Sequence, residues 1–134
     1  MAYGTLAIDT IQSSTTGTPT QFNDGSGTQI GTLCRAWVNF IGSSATKNAG
    51  FNISSITRNA AGDYTLNFTN AMPDVNYAVN GFCTSNDTNT AHQWGLVTSR
   101  QASEMLTTSV RITSAYSYNA NQWDSPLICV AIFR

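Results

Sequence analysis

Leu127-Ile128-Cys129-Val130-Ala131-Ile132-Phe133 is the one long unbroken apolar run in the sequence. Its seven residues, at about 3.3 Å each, span roughly 23 Å, a full strand but too short for a membrane-crossing helix. The β-branched content, with Pro126 as a stop, favours strand over buried helix. A run without a polar parity reads as a strand covered on both faces, on which everything earlier must pack. Because it comes last, the core closes late, and long-range pairing makes slow folding the expectation.

The segments upstream alternate instead. Over residues 33–40, Cys34, Ala36, Val38 and Phe40 take one face and Arg35, Trp37 and Asn39 the other, so the first set is core. Trp37, between Arg35 and Asn39, is either exposed or packed against a neighbouring subunit, where Trp and Arg are enriched. Residues 51–58 and 63–69 form a pair joined by Asn59-Ala-Ala-Gly-Asp, a loop of hairpin length. Tyr64, Leu66 and Phe68 alternate with Thr65, Asn67 and Thr69. After the Met72-Pro73-Asp74 turn, Tyr77, Val79, Gly81 and Cys83 oppose Ala78, Asn80 and Phe82. Residues 84–90 are polar and form a surface tip. Residues 93–99 and 106–118 follow. In the second of these, Leu106, Val110 and Ile112 share a parity with Tyr116 and Tyr118, and so long a segment bends or splits.

Seven to nine short strands, frequent turns and no segment of helical period predict an all-β chain, a jelly-roll or β-sandwich knob of antiparallel strands. The knob covers residues 32–134. Residues 1–31, rich in Ser, Thr and Gly around Pro19, read as an extended N-terminal arm rather than core. The arm is either a loose leader or a segment that orders on a partner. Tyr3, Leu6, Ile8 and Ile11 are spaced along it as anchors would be, as for a strand laid on the exposed sheet edge of another protein.

Only 10% of the 134 residues are charged, well under the usual quarter, while Ser, Thr and Asn abound. Six basic and seven acidic residues give a net charge of −1 with no basic block, so nucleic acid and membrane surfaces are not expected partners. The first residues have neither the basic nor the apolar region of a signal peptide, which gives assembly in a bacterial cytoplasm as the expectation. Cys34, Cys83 and Cys129, odd in number and widely spaced among apolar neighbours, read as buried thiols. The triplets at Asn52, Asn67 and Asn86 match the glycosylation pattern, but a chain this rich in Asn, Ser and Thr yields such matches by chance.

Catalysis needs a cluster, and titratable groups are scarce. His92 is the lone histidine, and no nucleophile signature, phosphate loop or dinucleotide fingerprint accompanies it. Three cysteines and His92 could supply zinc ligands on paper, but there is no C-x-x-C knuckle. Asp24, Asp63, Asp74, Asp87 and Asp124 lie in turn-like contexts, where Asp caps its own backbone more often than it binds calcium. The expectation is a non-enzyme without cofactor or metal. Trp94, Tyr116, Tyr118 and Trp123 either form a carbohydrate-stacking platform, with His92 beside it, or fill the core or a subunit interface. Arg35, Trp37, Tyr116 and Tyr118 are the candidate interface set; His92, Trp94 and Trp123 are the candidate glycan platform.

Tyr3-Gly-Thr-Leu with Asp9-Thr-Ile-Gln-Ser-Ser, Gly31-Thr-Leu-Cys-Arg-Ala-Trp-Val-Asn-Phe, Gly62-Asp-Tyr-Thr-Leu-Asn-Phe-Thr with Ala71-Met-Pro-Asp, and the ending Cys129-Val-Ala-Ile-Phe-Arg together form a pattern. It resembles the small virion proteins and tail-fibre tips of tailed phages, especially those infecting cyanobacteria and other aquatic bacteria. The resemblance implies a virion structural module, with a trimeric jelly-roll knob and no catalytic set. The chain opens about thirty residues before the knob, without room for a shaft, which favours a compact protein bound directly to the particle. The first expectation is therefore a homotrimeric capsid decoration (cement) protein on the major capsid protein. The alternative is the receptor-binding tip of a tail fibre, attached to a tail protein and recognising host surface carbohydrate.

Overall fold

The computed structural model describes residues 11, 21–23, 26–85, 95–99, 101–116 and 121–134. The chain divides into two compact units, Met1–Leu33 and Cys34–Arg134. Described within the first is an antiparallel pair of short strands, β1 (Gln21–Asn23) and β2 (Gln29–Thr32), an element not expected in the arm.

The second unit is all-β. Its strands are β3 (Cys34–Ile41), β4 (Thr46–Phe51), β5 (Ile53–Ala60), β6 (Asp63–Phe68), β7 (Ala78–Cys83), β8 (Gly95–Ser99), β9 (Ser109–Tyr116) and β10 (Ile128–Phe133), with one 3-10 turn at Ala102–Glu104. All pairings are antiparallel, in the order β4-β3-β10-β7-β8-β9-β6-β5. Among the described residues the β7–β8 ladder has two residue pairs, Phe82 with Leu96 and Cys83 with Gly95. The eight strands form a sandwich-like arrangement in which residues of β3 and β10 share one core with residues of β6 and β9. Eight strands and antiparallel pairing match the expectation. No helix among the described residues is long and apolar enough to cross a membrane.

The alternation read from the sequence builds the core. Ala36, Val38 and Phe40 of β3 and Ile128, Val130 and Ile132 of β10 meet Tyr64, Leu66 and Phe68 of β6 and Val110 and Ile112 of β9, all buried. Phe40 meets Tyr64 edge-on, with ring centroids 5.1 Å apart at 76°, and Phe68 meets Tyr77 at 6.0 Å and 84°, the geometry favoured by the ring quadrupoles. The Tyr77 hydroxyl reaches the Leu106 carbonyl at 2.9 Å, and burial pushes its pKa up to about 12.

Four expectations are corrected. Residues 51–58 are not one strand: Asn52 takes φ 57°, a left-handed corner that Asn tolerates, and separates β4 from β5. Its amide donates to the Arg35 and Asn70 carbonyls, both at 3.1 Å, so the residue of the first glycosylation triplet is a structural corner. Strand β4, with a polar start and every residue exposed, has no parity to betray it. The strand expected from residue 106 begins at Ser109, and Leu106 is exposed ahead of it. The fourth correction concerns the C-terminal strand. It is central, between β3 and β7, but only one of its faces is covered: Ile128, Val130 and Ile132 are buried, whereas Cys129 and Ala131 are half-buried and Phe133 is exposed.

Candidate functional site

The uncovered face of β10 is the floor of a groove. Register fixes its walls, because directly paired residues of antiparallel strands share a face. Ala131 lies between Trp37 of β3 and Asn80 of β7, and Cys129 between Asn39 and Phe82. Small side chains on the middle strand and large rings on its neighbours make a trough, with Phe133 at one end. Its volume is about 460 Å³, within the range of small-ligand clefts, roughly 300 Å³ upward. Trp37 is 41% exposed, Phe82 56% and Phe133 37%, a density of open aromatic surface unusual for one face of a strand trio. Phe51 of β4, paired with Trp37, extends the exposed apolar face outward.

Two amides supply polarity. The Asn39 side chain donates to the Cys129 sulfur at 3.3 Å and accepts from Asn48 at 2.8 Å, which leaves it one N–H and one lone pair. Asn80 is exposed, and its amide makes no hydrogen bond to any described residue. Burial pushes the Cys129 thiol above the ordinary range, against the pull of the Asn39 amide. Among the described residues, none that lines the groove is ionised.

The outer face of the opposite half is polar. Asn67 donates to Ser55 at 3.0 Å and Asn59 to Thr65 at 3.0 Å. Arg111 grips Asp63 in a bidentate pair at 2.8 and 2.7 Å and reaches Glu104 at 2.9 Å. The cleft beside it, lined by Thr65, Ser103, Glu104, Leu106, Ser109 and Arg111, is about 150 Å³.

The candidate residues separate. Trp37 lies in the groove; Arg35 is half-buried at the bulge where β3 slips against β10, and does not line it. Tyr116 and Trp123, assigned to different sets, stack on each other instead, with centroids 4.6 Å apart at 9°. That uses one face of each ring. Trp123 is held by its backbone N–H on the Ser114 carbonyl at 3.2 Å, and its indole N–H is buried with no partner among the described residues. Ile11 is exposed. Tyr3, Leu6, Ile8, His92, Trp94 and Tyr118 lie outside the described residues, as do Asp24, Asp87 and the triplet beginning at Asn86.

The cysteines are free, but only Cys83 is buried in the core; Cys34 is half-buried and Cys129 faces the groove, a correction to three thiols among apolar neighbours. Among the described residues no three His, Cys, Asp or Glu side chains converge as a metal site would require. Sequence reading missed Asn39, Asn80, Phe82, Cys129, Ala131 and Phe133 as one site. The usable signal was Phe82 on the polar parity of β7, facing away from the core beside Asn80.

No protein-family model and no curated protein matches the chain. Among solved structures, the chain is similar to the tailspike of phage phiAB6, determined in complex with three-repeated oligosaccharides of Acinetobacter baumannii surface polysaccharide. The identity is 17% and the TM-score 0.50, over 95% of this chain and 30% of the tailspike chain. At that identity the likeness is one of fold, and the chain spans under a third of the tailspike's length.

Proposed function

We propose that this chain is a non-enzymatic receptor-binding module of a phage tail that holds a host-surface saccharide in the groove of β3, β10 and β7. The carrying observation is the lining: open rings of Trp37, Phe82 and Phe133 around the amides of Asn39 and Asn80. A sugar ring has an apolar face of C–H groups and a rim of hydroxyls. The first is covered by a flat aromatic side chain, and the second needs neutral donors and acceptors placed at its edge. The fold neighbour is a tail protein solved with a surface oligosaccharide, which supports adsorption rather than capsid decoration. The described lining holds no carboxylate, and glycoside hydrolysis ordinarily uses a pair of them, which supports binding without cleavage.

Calorimetry of the purified chain with surface polysaccharides from a panel of bacterial strains tests the proposal. A strain-specific ligand is expected, with Trp37→Ala weakening it by about tenfold or more. The ring is exposed, so the variant should fold. Absence of any ligand, or equal affinity in the variant, would count against the reading. The competing use of the same rings is burial against further copies of this chain, as the expected homotrimer would have it. Light scattering separates the two: a trimer dissociated by Trp37→Ala supports self-association, and one size for both proteins supports the glycan.

A further inference from the structure

Resting on the glycan reading, we infer that the groove takes an uncharged sugar bearing an acetamido group, rather than an acidic or a plain hexose unit. Charge is the first argument. The described lining contains no ionised side chain, and a carboxylate brought into an apolar trough without a cationic partner forfeits hydration that nothing in that lining restores. Four of the described cations are engaged elsewhere: Arg58 on Asp124, Arg111 on Asp63 and Glu104, Arg134 on Asp74, and Lys47 on the Ile53 carbonyl at 2.8 Å. Arg35 does not line the groove, and Arg100 lies outside the described residues.

Shape and hydrogen bonding supply the second argument. Between Trp37 and Phe82 the floor includes the Ala131 methyl and the Cys129 sulfur, an apolar seat. Beside it stands the Asn80 amide, with no bond to a described residue and with both a donor and an acceptor to offer. An acetamido group matches both features. Its methyl rests on the floor and its N–H donates to the Asn80 carbonyl oxygen, while its own carbonyl, on the opposite side of the trans amide, stays open to another donor and the Asn39 N–H left over reaches a neighbouring hydroxyl. A plain hydroxyl at the same place would leave the apolar seat unfilled.

An array of defined oligosaccharides, grouped into neutral acetamido, plain hexose and uronic or sialic acid members, reads this directly with the wild type, Asn80→Ala and Trp37→Ala. The acetamido group is expected to rank first and to lose about tenfold in affinity in Asn80→Ala, with circular dichroism showing that the variant folds. A preference for acidic or plain hexose members, or unchanged acetamido binding in Asn80→Ala, overturns the inference; if Trp37→Ala still abolishes binding, the glycan reading itself stands. Absence of binding by every member overturns both.

Discussion

Asp124 ties residues 121–127 to the β5–β6 hairpin. Its carboxylate accepts from Arg58 Nε and Nη2 at 3.0 and 2.6 Å, from the Gly62 N–H at 3.0 Å and from the Tyr64 hydroxyl at 2.7 Å. Gly62 itself, at φ +68°, has no room for a Cβ, which would come within 2.5 Å of the Trp123 nitrogen. The Arg58 guanidinium foremost, then the Gly62 and Tyr64 donors, hold the Asp124 carboxyl at about 2 against an ordinary 3.8. A folded-state pKa below the unfolded value stabilises the protein above the unfolded value, and the contribution is lost as pH falls from about 4 to about 2. Asp124→Asn should therefore cost about 1 to 3 kcal/mol at neutral pH, with a difference from wild type that shrinks toward pH 2; thermal melts across that range read it. Equal losses at pH 7 and pH 2.5 would show that the charge is not the reason. The sequence placed Asp124 and Asp74 alike in turns. Asp74 does cap its own turn, through the Asn76 N–H at 2.8 Å. Asp124 instead binds groups sixty and more positions away, a partnership that tertiary packing sets and local spacing does not encode.

At the scale of elements, β10 is the strand most deeply committed, hydrogen-bonded to β3 on one side and β7 on the other, with Ile128, Val130 and Ile132 at most 3% exposed. Ending the chain at Ser125 removes the middle of one half of the sandwich and separates β3 from β7. No soluble, cooperatively melting product is expected; a two-state melt of the truncated protein would contradict this. The parity of β6 was legible because it alternates large apolar with polar residues, and that of β3 because Ala36, Val38 and Phe40 are interleaved with Arg35 and Asn39. The open face of β10 was not, because Cys129 and Ala131 are small and apolar, and a run without polar members looks covered on both sides. What distinguishes a floor from a core layer there is size, not polarity. Strand β4 was illegible for a different reason: as an exposed edge it has no buried parity to show.

At the scale of the molecule, the eight-stranded unit has two unlike outer faces. One is a lattice of Asn, Ser and Thr bonded to one another over β5 and β6, where much of the hydroxyl-rich composition goes. The other exposes Trp37, Phe82 and Phe133 around small residues and two amides. The all-β sandwich was legible from periodicity and turn density. The groove face was only half legible, since Trp37 stood out on its strand while Phe82 and Phe133 become its neighbours through the β3-β10-β7 register. The most direct measurement of the groove as the glycan site uses its own thiol. Mass spectrometry follows alkylation of Cys129 against Cys34 in mildly alkaline buffer, which offsets the raised pKa of Cys129, with and without saturating polysaccharide ligand. Slower alkylation of Cys129, with Cys34 unchanged, is the result predicted; full ligand occupancy with an unchanged Cys129 rate would place the saccharide elsewhere and contradict the account.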